Sequence, residues 1–460
     1  MNTIRLTGTR FRQGDFASGG LPLKRALTYL DQRQNIKPHR TTDPRTAQFN
    51  DLRNKTSHSA ELRLTVPFDN EAALRQVSQA MDPLELNELV LAWGQPGQRT
   101  TEDIELIKRD LAAGGLKSLQ QEESFLGKLE WIDNLTLLTD TFWTREYVME
   151  ISINGRLDPG MILIAQLTQL EPGGEIRIAY LLEGQSYFHL SRRQGTYKEN
   201  AFELLMAKAG GVEFLRQSLA NIYHVSLRAS DIDPPSKADL NYLGHGSINR
   251  TYGLRIKTTK GIYTLALRFF TLNIPAEYTP NTGLPQTHVP DFARLQEVSS
   301  HLAEPTRRGF LPKIGNYYYD RDIDPDQLCE VISIMALPWL PGIPADLYGV
   351  NKYNYSYVSG NDAKEILETY RTTNQALRLF HGIRTQDDGC NNYTFVRTSA
   401  GPRCLLHDLD FALYDNQSFA RRLKALHEGV FDRDKLALSV ATADRFGVSQ
   451  LFDSAYLIQP

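Results

Sequence analysis

Two short stretches place reactive side chain types at the edges of apolar strands. TQDDGCNNYTFV, Thr385 to Val396, sets two acids and two amides ahead of an apolar run, and LLHDLDFA, Leu405 to Ala412, is an apolar run that ends on acids. Carboxylates and amides delivered in this way can move a proton or present oxygen donors. A third stretch, GHGSIN from Gly244 to Asn249, removes side chains where a backbone would have to lie against phosphates. A plain hairpin explains the same two glycines equally well. The three cysteines, Cys329, Cys390 and Cys404, have neither the pairing of a disulfide framework nor the spacing of a zinc site.

The elements that must hold these residues are legible around them. Leu240–Phe270 reads as three antiparallel strands, the last two joined by the turn TTKG. QLCEVISIMALPWLPG, Gln327 to Gly342, is an unbroken apolar strand stopped by prolines, and DAKEILETYRTTNQALRLFHG is a helix that delivers the chain to Thr385. After Asn392, NYTFV and CLLHD read as a hairpin turned by RTSAGPR.

Upstream, MDPLELNELVLAW and TEDIELIKRDLAAGG have helical spacing, the second with Thr100 or Thr101 as its N-cap. MILIAQLTQLEPGGEIRIAYLLEG reads as two strands around a Pro-Gly-Gly turn, and NAFELLMAKAGGVEFLRQSLANIY as one further helix. Trp93, Trp131 and Trp143 read as core. The polar ASDIDPPSKAD, Ala229 to Asp239, marks a linker. The expected organisation is therefore a flexible basic arm over 1–58, an α+β domain over 59–230 and a second domain over 231–460. The length of 460 residues suits two or three domains, since single cores stop growing at about 250–300.

GHGSINRTY followed by Ala266-Leu267-Arg268 resembles the glycine-rich loop and third strand of the protein-kinase-like fold, G-x-G-x-x-G-x-V and Ala-x-Lys. Asn249 stands at the third glycine, Thr251 at the valine and Arg268 at the lysine. Arginine keeps the charge but adds a planar fork. The resemblance implies that Gly244, Gly246, Ser247 and Asn249 cover the phosphates of ATP with Arg268, and that Met335 and Leu337 border the adenine. It puts the acidic partner of Arg268 at Glu297, which reads equally as a solvated helix residue. Asp387 and Asn392 stand at the offset of H-R-D-x-x-x-x-N, and Asp408 stands at the aspartate of D-F-G. Asp387 would then face the attacking hydroxyl, while Asn392 and Asp408 hold Mg2+, joined by Asp410. Asp388 reads as a loop solvator.

The departures are as informative. Thr385 and Gln386 replace the His and Arg of the catalytic loop, which argues against control by a phosphorylated activation loop. Only 52 residues follow Asp408, with no A-P-E sequence among them, which predicts a short C-lobe. The implied fold class is α+β: a bilobal kinase-like domain with a short C-lobe, preceded by a separate α+β domain. The implied function is Mg-ATP-dependent transfer onto a hydroxyl of a protein or small molecule. A pseudokinase scaffold, or adenylylation or ligation on the same fold, is the alternative.

A net charge of -3 provides no field for nucleic acid, and no apolar run is long enough to span a membrane. Residues 1–58 carry eleven Lys/Arg against four Asp/Glu. This arm reads either as a disordered terminus or as a recognition segment. With an opening that lacks a signal peptide, it predicts a cytoplasmic protein or a bacterial effector delivered to a host cell by a non-Sec route.

Overall fold

The computed structural model describes residues 71–72, 81–94, 99–116, 129–131, 135–141, 143–153, 156–184, 198–245, 249–271, 301–320, 331–345, 360–385, 392–409 and 412–428. The basic arm lies outside them. Helix and sheet are mixed throughout, and the chain divides into two compact units. The first is drawn from Asn87–Val289 and Ile314–Trp339, the second from Pro290–Lys313 and Leu340–Pro460 with Thr42–Leu86.

The first unit takes in α1 (Pro83–Ala92) from Asn87 onward and α2 (Thr100–Ala112), followed by an antiparallel sheet of β1 (Leu129–Trp131), β2 (Thr136–Asp140), β3 (Thr144–Ile153), β4 (Arg156–Thr168) and β5 (Arg177–Gly184). The strand order is β1-β3-β4-β5, with β2 also on β3. β4 and β5 pair from Met161 opposite Gly184 to Thr168 opposite Arg177, around a turn in which Gly173 adopts φ 71°. Ile107 and Leu111 of α2 close on Tyr147, Met149, Leu163 and Leu167 of the sheet. The N-cap of α2 is Arg99, not a threonine, because both Thr100 and Thr101 are taken into the first turn.

That packing buries an ion pair. Arg145, fully buried on β3, donates through Nε and Nη2 to the two carboxylate oxygens of Asp103 at 2.6 and 2.9 Å. Tyr147 donates its hydroxyl to the same carboxylate at 2.8 Å, and Arg145 Nη1 donates to Gln169 Oε1 at 3.3 Å. Desolvation and the adjoining carboxylate raise the Tyr147 phenol far above its ordinary range.

The segment expected to form one helix after residue 198 is two. Gly210 and Gly211, at φ 98° and 54°, end the first, whose last turn, Leu204–Lys208, is π-helical; α3 (Val212–Tyr223) follows. One apolar side of α3, from Phe214, Leu215, Leu219, Ile222 and Tyr223, packs on a second sheet. This sheet contains β6 (Leu240–His245), β7 (Asn249–Thr258), β8 (Gly261–Thr271), β9 (Asn316–Tyr319) and β10 (Val331–Pro338), all antiparallel, in the order β6-β7-β8-β10-β9. Tyr252, Leu254, Ile256, Leu265, Leu267, Phe269, Ile334 and Ala336 share one core with α3. By the period of two, the alternate residues of β7, β8 and β10 face the other way.

In the second unit, β11 (Ile343–Pro344), β13 (Tyr393–Thr398) and β14 (Gly401–Leu406) form one sheet, and β12 (Ile383–Thr385) pairs with β15 (Ala412–Tyr414). α4 (Gly360–Gln375) precedes β12 and continues into a π-helical turn, Ala376–His381, ended by Gly382 at φ 68°. α5 (Phe419–Glu428) follows β15. Tyr370 of α4 meets Tyr393 of β13 edge to face, centroids 4.9 Å apart, and Asn374 Nδ2 donates to the Tyr393 hydroxyl at 3.1 Å. Gly342 is required where the chain enters β11, since a Cβ there would collide with the carbonyl of Phe395.

Candidate functional site

Each unit holds part of the set of residues singled out by the sequence. In the first, the strands of the second sheet carry Gly244, Thr251, Arg268 and Met335 into one cross-strand row. Gly244 pairs with Thr251, Thr251 with Arg268, and Arg268 with Met335. Directly opposed residues share a face, so these positions lie together on the side of the sheet away from α3. The neighbouring rows on that side are Asn249, Phe270 and Ser333, and then Gly253, Ala266 and Leu337.

The row is polar at its centre. Arg268 is 7% exposed and its guanidinium lies 5.7 Å from the Phe270 ring centre; Asn249, at the end of the glycine hairpin, is buried as well. Burying a guanidinium is costly unless charge or hydrogen bonds meet it.

The row beside it is closed by aromatic rings. Trp339, which follows β10, packs with Val90, Trp93, Leu243 and Ala266. Its ring lies so close beneath Gly253 that an added Cβ would be 2.6 Å from Cη2 and Cζ3. Asn87 of α1 fixes the same end of the sheet: its Oδ1 accepts from the Thr264 amide and hydroxyl, each at 2.9 Å, and its Nδ2 donates to the Ile262 carbonyl at 2.9 Å. Asn87, Trp339 and Gly253 were not among the sequence-derived candidates. The glycine inside an alternating strand was the available signal.

In the second unit, Asn392 and Asp408 flank one end of the β13–β14 hairpin. Tyr393 pairs with Leu406, and one step beyond, the His407 amide donates to the Asn392 carbonyl at 3.0 Å. The imidazole Nδ1 of His407 lies 3.0 Å from Thr394 Oγ1, tying the same strand end across the hairpin. Asn392 is buried and Asp408 half-buried. β12 leads toward Asp387 and pairs with β15, Thr385 opposite Ala412. Gly246, Ser247, Glu297, Asp387 and Asp410 lie outside the described residues.

No protein family and no curated protein matches the sequence. Solved structures similar to the chain include two protein kinase domains. One is the kinase domain of maize sucrose-induced receptor kinase 1 bound to AMP-PNP, with 11% identity over 48% of this chain and 72% of that one and a TM-score of 0.30. The other is the PknI kinase domain of Mycobacterium tuberculosis, with 15% identity over 46% of this chain and 75% of that one and a TM-score of 0.24.

The donor set itself is sparse. Among the described residues no three His, Cys, Asp or Glu side chains cluster as metal ligands, and no helix is long and apolar enough to cross a membrane. An amide and a carboxylate at one hairpin end suit an ion that takes few ligands from protein.

Proposed function

We propose that this chain is a divergent Mg-ATP-dependent phosphotransferase acting on a hydroxyl of a protein or small molecule. The observation that carries the reading is the row in which Gly244 of the glycine hairpin, Thr251, buried Arg268 and Met335 stand side by side on one sheet face. Arg268 would bind the α- and β-phosphates through its fork, with the backbone of the glycine hairpin over them. Asn392 and Asp408 would hold magnesium, with Asp410 as a further acid. When bound, the ion neutralises charge on the phosphates. Asp387 would orient or deprotonate the acceptor hydroxyl.

Thermal unfolding with ATP, with and without magnesium, tests nucleotide binding, since a ligand at about 100 times its Kd adds about 2.7 kcal/mol. Transfer is read by intact mass of acceptor candidates: a phosphate increment supports the proposal, and an AMP increment assigns adenylylation instead. Asp387→Asn is expected to lower transfer by about 10² to 10⁴ with ATP affinity retained. Unchanged transfer would remove Asp387 from the reaction. Arg268 in place of lysine favours a second reading, a nucleotide-binding scaffold without turnover. ATP binding with no mass increment on any acceptor supports that reading.

A further inference from the structure

The sheet face beside the Arg268 row is taken by the chain's own indole. Two residues along the strands from that row, Gly253, Ala266 and Leu337 stand opposite one another. Their strand neighbours Tyr252, Leu254, Leu265, Leu267 and Ala336 turn to the core under α3, so the bare side of Gly253 and the methyl of Ala266 face the same way as Arg268. A Cβ on Gly253 would meet Cη2, Cζ3 and Cε3 of Trp339 at 2.6, 2.6 and 2.9 Å. All three atoms belong to the six-membered ring. The indole is therefore laid against β7 where that strand has no side chain, with Ala266 of β8 and Leu243 packed on the same cluster.

The ring is fixed in that place. Trp339 is buried with Val90 and Trp93, and α1, which supplies Val90, is anchored to β8 by the three hydrogen bonds of Asn87. On the other flank of the Arg268 row, Phe270 and Ser333 are fully buried. A flat base attached to phosphates on Arg268 thus has no open row of the sheet to lie on. Leu337, expected to border an adenine, stands in the row that the indole closes.

We propose that Trp339 sets the specificity of the site by closing this row to the base, so that a nucleoside triphosphate is recognised by its phosphates and not by its base. The proposal rests on the reading of the Arg268 row as the phosphate subsite. Indole and purine are both flat fused bicycles, and the ring fills the place that a stacked purine would take against Gly253 and Ala266. A glycine inside a strand marks a close approach, and here it admits the indole. Triphosphates carrying a purine, a pyrimidine or no base then meet the same arginine fork on equal terms.

Calorimetric titration of the full chain tests this by comparing ATP with ribose 5-triphosphate, which has the same sugar and triphosphate and lacks only the base. A base that stacks on protein is worth at least about fivefold in affinity, so the parent is expected to bind the two compounds with less than that difference. Trp339→Ala vacates the place of the ring and should bind ATP at least about fivefold tighter than ribose 5-triphosphate. Trp339→Leu, which keeps an apolar side chain there and guards against unfolding of the alanine variant, should move in the same direction by less. A preference of the parent for ATP above about fivefold, or equal affinities in both variants with folding checked by circular dichroism, overturns the proposal and leaves the Arg268 row in place. Binding of neither compound by the parent overturns the reading of the row itself, and this proposal with it.

Discussion

The two sheets of the first unit bury an arginine each and treat it differently. On β3, Arg145 meets a carboxylate fork to fork, shares it with a tyrosine and reaches a glutamine besides. The acid comes from α2, the helix packed on that sheet, so the charge is part of the scaffold. On β8, Arg268 points away from the helix that packs on its sheet, into the row that begins at the glycine hairpin. A buried charge answered by its own packing layer is a structural device. Arg268 lies on the opposite face, in the row that begins at the glycine hairpin, which is the position we propose for the phosphates of a nucleotide.

The contrast can be broken at either sheet. Asp103→Asn should have the largest effect on stability, about 3–5 kcal/mol, because it strands Arg145 as a buried charge without its counterion. Denaturant unfolding measures it, and a loss below about 1 kcal/mol would mean that the pair is not structural. Gly253→Ala should cost about 1–3 kcal/mol through the collision with Trp339. Adding Trp339→Leu should recover part of that loss, and strict additivity in this double-mutant cycle would deny the contact.

Glu304 marks the bottom of the scale. Arg307 and Arg308 hydrogen-bond its carboxylate and hold its pKa down to about 2, but all three side chains are well exposed or half-buried. A carboxyl whose pKa is depressed in the folded state adds stability above its ordinary range and loses it as pH falls toward the folded value. Glu304→Gln should therefore cost less than about 1 kcal/mol at pH 7. The difference from the parent should vanish as pH falls from about 4.5 toward 2; a difference that grows in acid would reverse the sign of the pairing.

What was legible in the chain was local. Alternation in TYGLRIK and YTLALRFF, with a glycine turn between them, places Arg268 opposite Thr251, and the hairpin around RTSAGPR brings Asn392 and Asp408 to one end. What was not legible depends on partners distant in sequence. Asn87 meets Thr264 across 177 residues, and Asp103 meets Arg145 across 42. No periodicity carries such pairings, because they are decided by which helix packs on which sheet. The break in the helix before α3 is a different case: Gly210-Gly211 was in plain view, and helical periodicity on both sides outweighed it.

Binding of ATP to the parent, Arg268→Ala and Asp408→Ala, each with and without magnesium, tests the central claim most directly. With folding checked by circular dichroism, Arg268→Ala should lose affinity in both conditions, because the guanidinium serves the phosphates themselves. Asp408→Ala should keep the magnesium-free affinity and lose only the increment that magnesium adds. Mg-ATP binding as tight in Arg268→Ala as in the parent would contradict the assignment of that sheet face to nucleotide.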